Sequence, residues 1–574
     1  MSQKTIAWSQ GSRGAPTRFD LIAALLVLGL LVFLAQASRG VLAPITTLDA
    51  SPVVLDPWAL PAYVARTTFR MFLALGLSLL FTFTYATWAA KSPRAGRILV
   101  PILDILQSVP ILGFISVTVV FFLSLVPGRV LGAEFAAIFA IFTSQAWNMA
   151  FSFYQSLRTI PKELTEAAIS FRMSAWSRFW RLEVPFAMPQ LIWNMMMSMS
   201  GGWFFVVASE AISVGNTNIN LPGVGSYIAE AITHKDLHAV GYAIVAMLGV
   251  ILLYDQLFFR PLVAWADRFR FDHEPGNTAP TSWVYDVLKR SHWVNQTRRM
   301  MRRFWGILAV TFRHQTPKIL RDTPVPTGQL DVVATTLLAA LVLLCAAKAF
   351  WFLAPELSWA DVGSTVAQGF LTMLRVFVLI ALASVVWVPI GVIVGMRPTW
   401  ARVVQPIAQF LAAFPTNLVF PVAVFAILRF HLNPEIWLSV LMILGTQWYI
   451  LFNVIAGASA IPSEMRAVGE NLKIRGWLWW KKIALPAVFP FYVTGALTAS
   501  GGSWNASIAA EVASWGDERV RATGLGAYIT DATNSGDYHR IILGVVMMSF
   551  YVLLINRLVW RPLYYYAERK FRLE

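Results

Sequence analysis

Arg70, Glu210, Arg375 and Glu511 are ionisable residues set in stretches otherwise apolar enough to lie in a bilayer. A charge at membrane depth is costly, so such residues face a protein interior or a watery path and find partners there. The spacing predicts two pairs, Arg70 with Glu210 and Arg375 with Glu511. Each pair would brace a mouth of the molecule or open towards a solute. Amides, hydroxyls and indoles supply the other polarity in these stretches: Gln107 and Ser108, Asn194, Ser198 and Trp203, Gln409, Thr416 and Asn417, and Ser503, Trp504 and Asn505. Such residues can line a polar path or hydrogen-bond helix to helix. They are not a catalytic set. There is no cluster of His, Cys and carboxylate at metal-ligand spacing, no serine–base arrangement, and no G-x-x-x-x-G-K-[ST] phosphate loop. No catalytic residue, no metal site and no cofactor bound by this chain is expected. The single cysteine, Cys345, excludes an intrachain disulfide.

Two charged islands interrupt the apolar sequence. Ile160–Pro189 reads IPKELTEAAISFRMSAWSRFWRLEVPFAMP, and Ile461–Pro490 reads IPSEMRAVGENLKIRGWLWWKKIALPAVFP. Pro161 recurs as Pro462, an offset of 462 − 161 = 301. The same offset aligns Glu163 with Glu464, Arg172 with Lys473, Trp176 with Trp477, and Glu210 with Glu511. Upstream the offset is 305, since 375 − 70 = 305, and it aligns Arg70 with Arg375, Pro101 with Pro406 and Pro110 with Pro415. A turn four residues shorter after the third apolar segment of the second half accounts for the change. Gly223-Val224-Gly225-Ser226-Tyr227 recurs as Gly524-Leu525-Gly526-Ala527-Tyr528. The chain is an internal repeat.

The elements that must position these residues are membrane helices. Of 574 residues 57% are hydrophobic and only 13% charged, and apolar runs of spanning length recur throughout. About twelve transmembrane helices are predicted, as two parallel repeats of about six, in an all-α polytopic fold. The first helix spans about Leu21 to Ala37 and reads as a retained span, not a cleaved signal. The net charge of +16 gathers in one set of connectors, which places both termini and both islands in the cytoplasm. No nucleic-acid partner is implied. Residues 1–270 form the first unit, 271–327 a linker and 328–574 the second unit. The linker is basic and aromatic, and reads either as an interfacial helix that turns Arg298, Arg299, Arg302 and Arg303 toward anionic lipid or as a tether that follows the same charge bias.

The islands resemble the EAA loop of the membrane subunits of ABC importers: E-A-A, three residues, G, about nine residues, then an apolar residue, one more, and L-P. Glu166-Ala167-Ala168 with Leu182, Val184 and Pro185 matches in one copy. Ala467-Val468-Gly469 with Ile483, Leu485 and Pro486 matches in the other. Both depart from the pattern at its glycine, which is Arg172 or Lys473, and the second copy lacks the glutamate of E-A-A. The resemblance implies two permease units fused in one chain, most like the nitrate/sulfonate/taurine branch. It implies that Pro161, Glu163, Glu166, Ala167, Arg172 and Trp176, and Pro462, Glu464, Gly469, Lys473 and Trp477, meet two copies of an ATPase subunit. That partner would carry the ATP and magnesium. An external binding protein would deliver a small solute, with an anion such as nitrate, sulfonate or bicarbonate fitting the branch, across a bacterial inner membrane. The alternative is a gradient-coupled carrier of the major facilitator type. That architecture's G-x-x-x-D-R/K-x-G-R/K loop is not matched by KSPRAGR or GMRPTWAR.

Overall fold

The computed structural model describes residues 18–38, 43–44, 53–214, 217–269, 282–311 and 350–571, with short helical pieces between 336 and 348. The first half opens with α1 (Arg18–Ala37). Helix α2 (Leu60–Phe81) follows a turn capped by Asp56, whose carboxylate accepts from Trp58 N, and continues through a π turn to Lys91. Next come α3 (Pro93–Ser108), α4 (Ile111–Leu125) and α5 (Val130–Arg158). The first island forms α6 (Lys162–Ser170), a single helical turn at Ala175–Arg178 and a π turn at Phe179–Glu183, which runs into α7 (Val184–Glu210). A hairpin of β1 (Ala211–Val214) and β2 (Thr217–Asn220) precedes α8 (Val224–Thr233) and α9 (Leu237–Tyr254).

The linker contributes α10 (Trp283–Arg290) and α11 (His292–Thr311). Both pack on α1. The Asp20 carboxylate of α1 accepts from Ser291 Oγ at 2.7 Å and from Trp293 N at 3.1 Å. Arg298 and Arg299 are exposed, whereas the side chains of Arg302 and Arg303 lie outside the described residues, as does Cys345.

The second half repeats the order: α12 (Trp359–Gly395), α13 (Pro398–Ala413), α14 (Phe420–Arg429), α15 (Pro434–Leu444), α16 (Gln447–Ser459) and the island helix α17 (Ser463–Asn471). A turn at Gly476–Trp479 and a π turn at Trp480–Ala484 lead into α18 (Leu485–Ala510). The hairpin of β3 (Val512–Trp515) and β4 (Glu518–Arg521), then α19 (Leu525–Ser535) and α20 (Tyr538–Ile555), follow.

Eight described helices are long and apolar enough to cross a membrane, and three bent pairs bring the number to 11. The remaining predicted span, about Val333 to Phe352, lies mostly outside the described residues. The protein is an all-α polytopic membrane protein built as two repeats, with a short hairpin after the fifth span of each half.

The third span of each half is broken at its second proline. Helices α3 and α4 meet at 91°, and the pieces of the matching span at 68°. Pro110 and Pro415 have no N–H and push Val109 and Phe414 into extended backbone, with ψ of 128° and 127°. Pro101 and Pro406 lie inside helices without breaking them. A further break, of 44°, separates α15 from α16 where the first half has the unbroken α5.

Within the halves, α5 packs on α2 and α7, and α16 on α12 and α18. Between them, α4 packs on α18 and α20, and α13 on α7 and α9. Each broken span is therefore lodged against the fifth and sixth spans of the other half. Trp203 and Trp504, equivalent under the offset of 301, are among the largest fully buried side chains.

Candidate functional site

Three sets of residues stand out, one at each end of the helices and one between the halves. At one end Arg70 of α2 is 2% exposed and donates to two carboxylates. Its Nε and Nη2 reach Glu134 at 2.6 and 2.7 Å, and its Nη1 reaches Glu210 at 2.6 Å and the Pro222 carbonyl at 3.1 Å. The Glu210 carboxylate also accepts from Gly225 N at 2.7 Å, at the start of α8, where a helix end favours negative charge. A Cβ at Gly223 would lie 2.3 Å from that carboxyl group, so the backbone must be bare there. In the second half Arg375 reaches Glu511 at 3.3 Å and Glu435. Glu511 accepts from Thr372 Oγ1 at 2.8 Å and Ala527 N at 3.0 Å, and a Cβ at Gly524 would again lie 2.3 Å from its carboxyl. Glu134 and Glu435 join the pairs that the spacing predicts, Arg70 with Glu210 and Arg375 with Glu511, as third members that the spacing alone does not name. The signal was available, since 435 − 134 = 301.

Between the halves lies a cavity of about 430 Å³. Gln107, Asn194 and Ser198 line it from the first half and Trp504 and Asn505 from the second, and among the described residues its lining is uncharged. Asn148 of α5, also lining it, donates to Ser198 Oγ at 3.1 Å. Asn505 Oδ1 accepts from Ile111 N at 2.7 Å and so caps α4 across the half boundary.

Five residues assigned to the path from sequence are placed elsewhere. Trp203 is buried against Tyr254, with ring centroids 5.5 Å apart. Gln409 Nε2 contacts Met196 Sδ, and Asn417 Nδ2 donates to the Phe204 carbonyl at 3.1 Å; both tie the second half to α7. Thr416 is buried beside Gly445, and Ser503 Oγ pairs with Thr446 Oγ1 at 2.9 Å. Small polar side chains in closely packed helices serve as interhelical ties as readily as they line a path. The side chains of Asp104 and Ser108 lie outside the described residues.

At the opposite ends of α5 and α7 the first island projects, and the second lies equivalently beyond α16. Pro161 and Pro462 precede α6 and α17, where the missing N–H costs nothing. Both island helices end in the same reverse turn. Arg172 N bonds to Ile169 O at 2.8 Å and Met173 N to Ala168 O at 3.1 Å; Lys473 N bonds to Glu470 O and Ile474 N to Gly469 O. Arg172 (φ 50°) and Lys473 (φ 54°) therefore occupy the left-handed position that ends such helices. The EAA pattern has glycine there, the residue that adopts this conformation without strain. Glu163, Glu166, Ala167 and Arg172 are exposed, as are Glu464, Lys473 and Trp477.

Two island residues are placed differently from the sequence expectation of surface contacts. Gly469 is packed under Ile483, whose Cδ1 would stand 2.6 Å from an added Cβ. Trp176 is half-buried and edge-on to Trp180 at 5.8 Å. The sequence reading missed the residue just before each left-handed turn. Phe171 is 81% exposed and Leu472, its equivalent, 66%.

The family model described as "Binding-protein-dependent transport system inner membrane component" matches the chain twice, over residues 78–260 and 387–572. The chain belongs to that family. The permease is similar to the nitrate import permease protein NrtB of Leptolyngbya laminosa, 30% identical over 185 residues, which cover 32% of this chain and 63% of that protein. It is 30% identical to the bicarbonate transport system permease protein CmpB of Synechococcus elongatus over 205 residues, 35% of this chain and 67% of the relative. It is 27% identical to the glycine betaine/proline betaine transport system permease protein ProW of Escherichia coli over 167 residues, 29% of this chain and 42% of that one. The first of these relatives is thus matched over less than two thirds of its length. The two family matches fall one in each repeat, so the unit that the family model describes is duplicated. The major facilitator alternative has no support from these comparisons.

Proposed function

We propose that this chain forms the whole transmembrane path of an ATP-driven importer, with its two halves standing where two separate permease chains stand in other such systems. The observation that carries this reading is the pair of exposed islands. Each is a short helix closed by a left-handed turn, with an exposed apolar residue, Phe171 or Leu472, between carboxylates and a cation. That is a surface on which a rigid partner can push. Two copies of an ATPase subunit dock there and carry the ATP and magnesium. The islands and both termini face the cytoplasm of a bacterium, and the Arg70 and Arg375 clusters face the outer side of its inner membrane, where a binding protein delivers the solute. Residues 1–270 and 328–574 are the two permease units and 271–327 the linker, whose basic face meets membrane lipid.

The solute is a small anion of the nitrate, bicarbonate or sulfonate kind. The names of the relatives support this, and the amides and hydroxyls lining the cavity are groups that can contact such an ion. The test is co-purification of the permease with its ATPase subunit. Glu163→Arg with Glu464→Arg should abolish the complex and leave the permease's own size-exclusion profile unchanged. Full retention of the ATPase by that variant would sink the docking assignment.

A further inference from the structure

The two halves match in element order but not in how their islands are fixed. In the first half Lys91, at the end of the second span, reaches across to Glu183 in the π turn that joins the island to α7. Lys91 Nζ stands 2.7 Å from Glu183 Oε1, and the two side chains are 6% and 8% exposed. Arg178 Nε reaches the same oxygen at 3.0 Å. The island is thereby tied to a different span from the one it runs into.

The second half has none of these charges. Under the offsets of 305 and 301 the equivalents of Lys91, Arg178 and Glu183 are Met396, Trp479 and Ala484. Ala484 is fully buried, and Met396 and Trp479 pack against the apolar core. Apolar contact is non-directional and lets surfaces slide, whereas a buried ion pair tolerates little displacement because separating it strands charge in a poor solvent.

Two other places carry the same asymmetry. Arg70 is sealed between two carboxylates at 2.6–2.7 Å, but the Arg375 side chain is 15% exposed, its partner Glu435 45% exposed, and Glu511 stands off at 3.3 Å. Helix α5 is unbroken where α15 and α16 bend by 44°.

We propose that Lys91, Arg178 and Glu183 are positioning residues that lock the first island to the helix bundle, so that the two ATPase docking sites are mechanically unequal. The first island moves only together with spans two and five of its half. The second is held at its first turns by Arg466, whose Nη2 donates to the Ala458 carbonyl at 3.2 Å, but its π turn meets the bundle through the apolar contacts of Trp479 and Ala484. A stroke of equal size on both islands therefore moves the first half as one body and is partly absorbed in the second. The functional consequence rests on the docking reading above; the lock itself is a property of the chain alone.

Hydrogen–deuterium exchange on the purified full-length chain in lipid nanodiscs tests it. In the wild type, amides of residues 162–183 should be protected about tenfold more than those of 463–484 once intrinsic rates are removed. Lys91→Met with Arg178→Trp and Glu183→Ala gives the first half the residues of the second and should erase the difference, while Lys91→Arg should keep it. Equal protection of the two islands in the wild type would overturn the proposal without any variant, as would a difference that survives the triple replacement. In the complex with the ATPase, Phe171→Ala should lower ATP-driven uptake of radiolabelled bicarbonate or nitrate at least threefold more than Leu472→Ala; equal losses would overturn the mechanical inequality. If the islands do not dock an ATPase, neither alanine affects complex formation, yet the exchange difference stands, so the two failures are distinguishable.

Discussion

Removing one partner of a buried ion pair costs about 3–5 kcal/mol because the other charge is left stranded. Arg70→Met strands two carboxylates, Glu134 and Glu210, both inside the protein. Arg375→Met strands Glu511 but leaves the half-exposed Glu435 to water. The first substitution should therefore lower the thermal midpoint of the detergent-solubilised permease clearly more than the second; equal shifts would mean that the two clusters are equally sealed. Gly223→Ala should also destabilise, by about 1–3 kcal/mol, because the new methyl would overlap the Glu210 carboxyl group. The Arg–Glu pairs were legible in the sequence because both members recur at nearly the same offset and neither belongs in apolar surroundings. Glu134 escaped because it opens its span, where a carboxylate reads as an interfacial residue. The shared role of Gly223 and Gly524 was not legible, since it depends on the approach of a helix end that no pattern announces.

Broken helices decide how the halves join. The broken third spans expose helix ends that each half must satisfy from outside itself, and Asn505 does so for α4 by accepting from Ile111 N. Loss of a cap costs about 1 kcal/mol. Asn505→Ala should therefore destabilise only modestly, while solute uptake by the assembled transporter falls severalfold, because the capped end borders the cavity. Unchanged uptake would remove α4 from the path. The island helices offer a converse test. Lys473→Gly and Arg172→Gly relieve a left-handed side chain and should raise stability by up to about 1 kcal/mol, read as a higher thermal midpoint. The islands, their opening prolines and the repeat were legible because amphipathic charge stands out against apolar sequence. The right-angle break at Pro110 was not, because an intramembrane proline is compatible with a kink or a break, and the choice is made by what packs on the freed ends. The bend at Gly445–Thr446 lacked even a proline as a sign, whereas each hairpin did carry a sign in the residue pairs Gly215-Asn216 and Gly516-Asp517.

At the scale of the whole molecule, the family unit occurs twice within one chain, which keeps the two halves in equal number and allows them to diverge. The core kept its symmetry, as Trp203 and Trp504 illustrate. The ion clusters and the island anchoring did not. Between the halves sits a cavity lined by uncharged polar and aromatic residues, and at one end two islands face away from the bundle. Membership of the family was readable from the islands alone, but the exchange of third spans between halves was not, because it is made of contacts far apart in sequence. Uptake of radiolabelled bicarbonate and nitrate into proteoliposomes holding this chain with its ATPase subunit decides whether the molecule works as an ATP-driven importer. Uptake should need both ATP at the island face and a loaded binding protein at the other, and should be lost in the Glu163→Arg, Glu464→Arg variant. Uptake by the chain alone, driven by an ion gradient with no ATPase present, would contradict that requirement.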